Sequence, residues 1–310
     1  MTIAASPPTC LQCGGPTVAA FRVQDRNQHL SDAWFTYQRC TRCASRFLAP
    51  IPEDLGRYYR TDYPAYKVAD LQSRMTRERC KLDLLRPHVA SGRMLEIGPA
   101  IGAFAKLAQE SGFAIEVIEM DRDCCAYIER ALGIPARHSI DAGAALLPGE
   151  SFDVIVLWHV IEHLPNPLST LTTLAAHVRP GGLLALSAPN PESLQFRLLG
   201  ARWVHVDAPR HLWLIPLGVI SERLELLGFE LLSATACDPI GLALNRMGWR
   251  SSLDSLSSWR PLRFALRCLG EIANLVCAPW ERRLAGGSTY TAVFRKKPGA
   301  GPHKAQDQRP

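Results

Sequence analysis

Leu95-Glu96-Ile97-Gly98-Pro99-Ala100-Ile101-Gly102, followed about twenty residues later by Glu119 at the end of a second apolar run, decides the fold of this chain. Met94 to Ile97 is a short buried-strand run that breaks at Gly98, and Gly102 opens a helical pattern carried by Phe104, Leu107 and Ala108. A glycine turn between strand and helix brings backbone close to a ligand, and an acidic side chain ending the next strand accepts hydrogen bonds from two ribose hydroxyls. The pattern implies an α/β sheet that binds a nucleoside-containing cofactor. A pyrophosphate loop wants a third glycine and a helix N-terminus open to phosphate. Here Ala100 takes the middle position, Pro99 stiffens the turn, and the Glu96 carboxylate would repel phosphate while suiting an amino group or a cationic ligand.

Further along, Phe152-Asp-Val-Ile-Val-Leu-Trp158 is an apolar strand run, followed by His159-Val-Ile-Glu162-His163-Leu-Pro-Asn-Pro. A helical stretch (Leu168, Leu171, Leu174, Val178), the breaker Arg179-Pro-Gly-Gly182 and a strand from Leu183 to Ser187 come next. Taken with the glycine loop, these segments resemble motif I and motifs IV to VI of the class I S-adenosylmethionine-dependent methyltransferases. They are similar in particular to the ubiquinone-biosynthesis O-methyltransferases, with matching segments from about Gly92 to Ala236. Ala100 departs from the central glycine of that motif and adds one methyl beside the cofactor. The resemblance implies a Rossmann-like, doubly wound seven-stranded sheet that binds S-adenosyl-L-methionine. It assigns Glu96, Gly98, Ala100 and Gly102 to the methionine and ribose side of the cofactor, Glu119 to the ribose hydroxyls, Ile140 with its neighbours Ser139 and Asp141 to adenine, and Trp158 to the same crevice.

Before that domain, Cys10-x-x-Cys13 and Cys40-x-x-Cys43 form two knuckles 26 residues apart. Four thiolates at this spacing close a tetrahedral zinc site with no position left for chemistry. Short β-runs between them (Val18 to Phe21, Ala33 to Gln38) give a structural zinc ribbon, and so small a segment with few large apolar groups needs such a staple. A ribbon preceding a methyltransferase domain resembles the arrangement in bacterial enzymes of sugar and cell-surface glycan biosynthesis. The expected organisation is a zinc ribbon (1–50), an aromatic linker with a leading helix (51–90), a methyltransferase domain (91–297) and a disordered tail (298–310). Within the domain lie an acceptor lid (191–215) and a helical insertion before the last strand (240–287). The linker packs four tyrosines into nine residues, and Tyr63 is its candidate acceptor contact.

Methyl transfer needs proximity, alignment and removal of the nucleophile's proton. Among the histidines near the expected crevice, His211 is the first candidate for the base and His159 the second. Trp203-Val-His-Val-Asp207-Ala-Pro-Arg210-His211-Leu-Trp213 reads as a recognition loop for a polar acceptor, with Asp207, Arg210 and His163 as contacts and Arg210 as a clamp for phosphate or carboxylate. In the insertion, Leu262, Leu266, Leu269, Ile272 and Val276 share one helical side and Arg260, Arg263 and Arg267 another. That pattern predicts a hairpin packed on the core or in a homodimer interface, with an interfacial helix on anionic lipid as the other reading.

Composition bounds the rest. At 310 residues, 47% hydrophobic and 21% charged, the chain reads as an ordinary globular protein. Between Ile240 and Lys297, ten Arg and Lys stand against three Asp and Glu, so most of the net charge of +6 sits in this segment. A near-neutral crevice argues against a nucleic-acid partner. Met1 to Thr9 has neither the basic start nor the apolar core of a secretory signal, and no run suits a membrane span. Ten cysteines, some adjacent, fit a reducing compartment, so the expected location is cytoplasmic, with peripheral contact at the inner membrane face through 240–287 as an extension. The expected activity is S-adenosylmethionine-dependent methyl transfer to a small or glycan-type acceptor, a sugar hydroxyl or carbon. The alternatives are a quinone-like or lipid acceptor and a non-catalytic scaffold that keeps the binding fold.

Overall fold

The computed structural model describes residues 9–59 and 71–299. Tyr63, residues 1–8 of the ribbon and residues 300–310 of the tail lie outside the described residues. The central sheet is built from β4 (Gly92–Ile97), β5 (Phe113–Glu119), β6 (Ala136–His138), β7 (Phe152–Trp158), β8 (Val178–Pro189), β10 (Phe229–Thr235) and β11 (Thr289–Lys296). Their order is β10-β11-β8-β7-β4-β5-β6. The strands from β8 to β6 run parallel, and β11 inserts antiparallel between β8 and β10. This is the expected doubly wound seven-stranded sheet.

The central strands are mostly apolar because both their faces are covered, with Glu96 a buried exception on β4. Successive side chains of β4 and β7 alternate between two cores. Met94, Val154 and Val156 pack with α1 (Leu71–Leu85) and α2 (Ala103–Glu110), while Leu95, Ile97, Ile155 and Leu157 pack with α4 (Pro167–Ala176) and α6 (Leu217–Leu226). Glu96 shares the face of Met94 and is therefore buried against α1 and α2. β5 leads into α3 (Arg122–Tyr127), capped by Asp121, whose carboxylate accepts from the Cys124 N–H at 2.8 Å. At the other edge Lys296 reaches under the sheet and donates to the carbonyls of Ala175 and Val178, both at 2.8 Å, at the C-terminal end of α4.

The N-terminal module forms a second sheet from β1 (Thr17–Val23), β2 (Phe35–Cys40) and β3 (Arg46–Leu48), close to the short β-runs read from the sequence. Its fourth strand comes from the far side of the chain, because β9 (Trp213–Leu214) pairs antiparallel with β3. Phe47 stacks on Trp213 at 4.9 Å, and Val23, Phe35 and Tyr37 share one continuous core with α4, α6 and Trp203. Ribbon and central sheet are thus joined by a common apolar interior.

Helix α5 (Leu194–Leu199) begins the segment that returns through β9. The insertion folds as a hairpin of α7 (Pro239–Asp254) and α8 (Arg260–Glu281). Gly270 allows the close approach, since a Cβ there would lie 2.9 Å from the Arg250 Cα. Buried Glu281 accepts from Trp249 Nε1 at 2.9 Å and Gln195 Nε2 at 2.8 Å, pinning the hairpin to α5. The expected burial of the insertion's apolar side on the core is not found. Leu262, Leu269, Ile272 and Val276 face outward, with Phe264 and Leu275 more than 70% exposed beside them. Periodicity establishes that a helix is two-faced, but α7 meets the other face, through Gly270. Among the described residues no helix is long and apolar enough to cross a membrane.

Candidate functional site

The carboxyl ends of β4 and β7 open into one cleft of about 1270 Å³. The glycine loop forms one wall, with Gly98 (φ +68°), Ala100 (φ +51°) and Gly102 (φ +75°) all left-handed. A Cβ at Gly98 would sit 2.7 Å from Val160, so that glycine is required twice over. Ala100 carries a side chain in a conformation that favours glycine, at a cost of about 1 kcal/mol. This is the physical content of its departure from the motif.

Of the residues read as cofactor contacts, Glu96, Gly98, Ala100 and Trp158 line the cleft, while Gly102 and the buried Glu119 lie behind its lining. One carboxylate oxygen of Glu96 and the indole N–H of Trp158 are buried without a hydrogen-bond partner. Burial pushes the Glu96 carboxyl up to about 8, against the opposing pull of Lys81. Glu119 stands at the end of β5 and accepts from the backbone N–H groups of Ala100 and Asp121, both at 2.9 Å. Those two bonds use about half of the lone-pair sites of a carboxylate, leaving the remainder for a diol. Burial raises its carboxyl too, with the backbone N–H groups of Asp121, Ala100 and Met120 opposing. Ile140, the expected adenine contact, is 81% exposed on the loop after β6 and stands apart from the cleft lining.

Four histidines converge on the same cleft. His159 follows β7 directly with φ +56°, another left-handed non-glycine residue and a mark of local strain. Its Nδ1 lies 3.4 Å from Glu162 Oε1. Glu162 and His163 follow in a 3₁₀ turn, Ile161–His163. The His163 Nδ1 lies 2.9 Å from the Arg210 carbonyl and 3.1 Å from the Tyr59 hydroxyl. His211 directs Nδ1 at the His205 carbonyl, 2.8 Å away, and packs edge-on against the His163 ring at 4.7 Å. Burial lowers both His163 and His205 to about 4, so these two are neutral imidazoles at pH 7. All four, with Asp207, line the cleft.

Arg210 requires a correction. Its guanidinium is fully buried and bonded to Asp25 at 2.8 Å and to both oxygens of Asp207, at 2.7 and 3.0 Å. A group so occupied cannot clamp an acceptor; it ties the loop between β1 and β2 to the lid. Sequence spacing could not reveal this, since Asp25 lies 185 positions away. Asp207 keeps its place at the cleft, held by Arg210 and by the Asn27 amide at 2.6 Å. The residues missed from sequence are those of the β1–β2 loop, where Arg26, Asn27, Gln28 and His29 form an acceptor-side wall, and Leu244, Met247 and Ser251 of α7. The only signal for the loop was a polar tetrapeptide between two predicted strands.

The four ribbon cysteines bring their sulfurs together within 4.8 Å. Cys10 and Cys43 are separated by 3.8 Å and Cys13 and Cys40 by 3.5 Å. Tetrahedral zinc with Zn–S bonds of about 2.3 Å would space its sulfurs about 3.8 Å apart. The Arg42 and Cys43 N–H groups point at the Cys40 sulfur, at 3.3 and 3.4 Å, as donors to a thiolate. The donor set therefore fits zinc.

Strand order, glycine loop and acidic residue together define a class I methyltransferase fold. A methyltransferase-domain family model matches residues 69–234, more than half of the chain. Ubiquinone biosynthesis O-methyltransferase from Dechloromonas aromatica is 30% identical over 137 residues, covering 39% of this chain and 56% of that protein. The enzyme of the same name from Cereibacter sphaeroides is 28% identical over 192 residues, covering 56% and 72%. The chain thus spans little more than half the length of the first of these relatives. A SAM-dependent methyltransferase structure from Archaeoglobus fulgidus shares the fold, with a TM-score of 0.50 at 20% identity over 73% of this chain and 94% of that one. The chain belongs to the S-adenosylmethionine-dependent methyltransferase family.

Proposed function

We propose that this protein transfers a methyl group from S-adenosylmethionine to a hydroxyl of a polar, glycan-type acceptor. The observation that carries the reading is the pair of partnerless buried polar groups, Glu96 Oε2 and Trp158 Nε1, at a glycine loop facing the histidine cluster across one cleft. Glu96 suits the cofactor's amino group and Glu119 its ribose diol. When bound, the cofactor supplies a methyl group already activated on sulfonium. The chain's own task is to hold the acceptor oxygen in line and take its proton. His211 offers a free Nε2, because its Nδ1–H is committed to the His205 carbonyl. His159 is the second candidate. The acceptor side is lined by Arg26, Asn27, Gln28, Ser251, Ser255 and Ser257, a hydrogen-bonding wall that suits many hydroxyls. Zinc in the four-cysteine site would be structural, holding the ribbon that supplies part of this wall.

A second reading, a lipid-linked or quinone-like acceptor, is favoured by the exposed stripe of α8. Arg263 of α8 lines the cleft mouth, and the apolar residues beside it are framed by Trp259 and Trp280 and flanked by Arg260, Arg282 and Arg283. Apolar and basic groups together suit an anionic membrane surface. The relatives above are named for ubiquinone biosynthesis.

Calorimetry with S-adenosylmethionine tests the cofactor site. Glu119→Ala removes charge-assisted bonds worth about 1.5–3 kcal/mol each, so binding should weaken at least about tenfold. Unchanged affinity would refute the assignment. Transfer of labelled methyl to glycan or quinone fractions separates the acceptors, and binding with no transfer to either would support the non-catalytic scaffold.

A further inference from the structure

Glu162 is a buried carboxylate whose nearest ion-pair neighbour is the His159 Nδ1, 3.4 Å from Oε1. Its side chain is 2% exposed, and neither carboxylate oxygen accepts a hydrogen bond. Such a group is costly unless something binds it. The ligand atoms of Glu162, His163 and His211 lie within 4.8 Å of one another. Both histidines are fixed in the same way. A backbone carbonyl only accepts, so each Nδ1, at 2.9 Å from the Arg210 carbonyl and 2.8 Å from the His205 carbonyl, carries the proton. Each Nε2 is left with a bare lone pair. Nδ1–H to carbonyl is the outer-shell bond that orients metal-ligating histidines. The nearest carboxylate to the His211 Nε2 is Asp207 at 4.0 Å, too far for a hydrogen bond.

We propose that Glu162, His163 and His211 bind a divalent transition metal, zinc being the simplest, on the acceptor side of the cleft. Two imidazoles and one carboxylate leave open coordination positions, which an acceptor hydroxyl can enter. An ion held there would lower the pKa of that hydroxyl; the proton would pass to His159, and the freed oxygen electron pair would form the O–CH3 bond as the methyl's C–S bond breaks and the sulfonium leaves as a neutral thioether, with no change in the metal's oxidation state. This deepens the methyl-transfer reading by giving the acceptor a bound oxygen. In that arrangement His211 is a ligand and His159 the proton acceptor.

The test needs neither cofactor nor acceptor, so its failure is distinct from failure of methyl transfer. The full chain is stripped with a chelator and titrated with cobalt(II) alone. Two equivalents are expected, one with a thiolate charge-transfer band from the ribbon and one without. Glu162→Gln, which keeps the shape, and His211→Ala should each lose the thiolate-free equivalent while the charge-transfer band persists, reporting an intact ribbon. A wild-type chain whose cobalt is all thiolate-bound, or variants that retain both equivalents, would overturn the proposal.

Discussion

Replacing Arg210 by Met tests whether the guanidinium is a structural tie. It bridges Asp25 of the β1–β2 loop to Asp207 of the lid and also donates to the Tyr58 carbonyl at 3.3 Å, all in an interior it fills completely. Removing one partner of a buried ion pair costs about 3–5 kcal/mol, because the charge left behind has neither water nor counter-ion. Here part of the loss is cushioned. Asp25 keeps the N–H groups of Gln28 and Leu30, at 3.1 and 2.9 Å, and Asp207 keeps Asn27. The expected loss is therefore near the lower end, about 3 kcal/mol. With a urea dependence of about 3 kcal/mol per molar, the midpoint should fall by about 1 M. Arg210→Lys keeps the charge without the planar fork and should recover only part. Tryptophan fluorescence reads the transition, since Trp203 and Trp213 lie in the core shared by ribbon and sheet. Affinity for S-adenosylmethionine should stay unchanged, as none of the Arg210 bonds reaches the glycine loop. A loss below about 1 kcal/mol with a selective rise in acceptor KM would refute the tie and restore the clamp.

Three other outcomes follow from the same geometry. Ala100→Gly relieves a left-handed alanine and should stabilise the chain by about 1 kcal/mol in urea unfolding; destabilisation would show that the loop does not hold this conformation. Glu96 has a folded value of about 8, above the ordinary 4.5, so the folded state binds the extra proton. Its contribution is fully present below pH 4.5 and is lost as pH rises toward 8; Glu96→Gln should flatten that slope, and parallel stability curves for both proteins would contradict the burial argument. Phe264→Glu with Leu275→Glu should abolish co-sedimentation with anionic vesicles if α8 rests on lipid; a wild-type chain that ignores vesicles but dimerises in ultracentrifugation would assign the stripe to a second copy.

What the sequence made legible was whatever depends on near neighbours along the chain. Strands β4 and β7 announce themselves because a strand buried on both faces is mostly apolar, and the Gly98–Gly102 loop because left-handed backbone favours glycine. The two Cys-x-x-Cys knuckles could be paired because metal geometry sets their spacing. What stayed hidden depends on distant partners. Arg210 looked free because Asp25 is remote in sequence, and β9 is only two residues long, too short for any period. The stripe on α8 was visible as a stripe, but which face α7 would meet was decided by Gly270 and its close approach to Arg250. His211 was singled out for its composition-rich loop, while the bond that fixes its tautomer, to the His205 carbonyl, requires the folded turn.

The position of His211 shows why the ribbon belongs to the site rather than beside it. Tyr37 of β2 is fully buried, and its hydroxyl donates to the His211 carbonyl at 2.5 Å and reaches the Val206 carbonyl at 3.4 Å. Its ring stacks on Phe21 at 4.9 Å, so the hydroxyl is held by packing on the ribbon's own strands. β3 pairs with β9 directly after His211, and Asp25 holds Arg210 directly before it. The histidine is therefore bracketed on both sides by contacts to the N-terminal module. A shift of about 1 Å in a catalytic group lowers rates by about two orders of magnitude. On the role proposed for His211, whatever staples Cys10, Cys13, Cys40 and Cys43 together also sets where that imidazole points, so loss of the ribbon should lower methyl transfer while cofactor affinity at the glycine loop is retained.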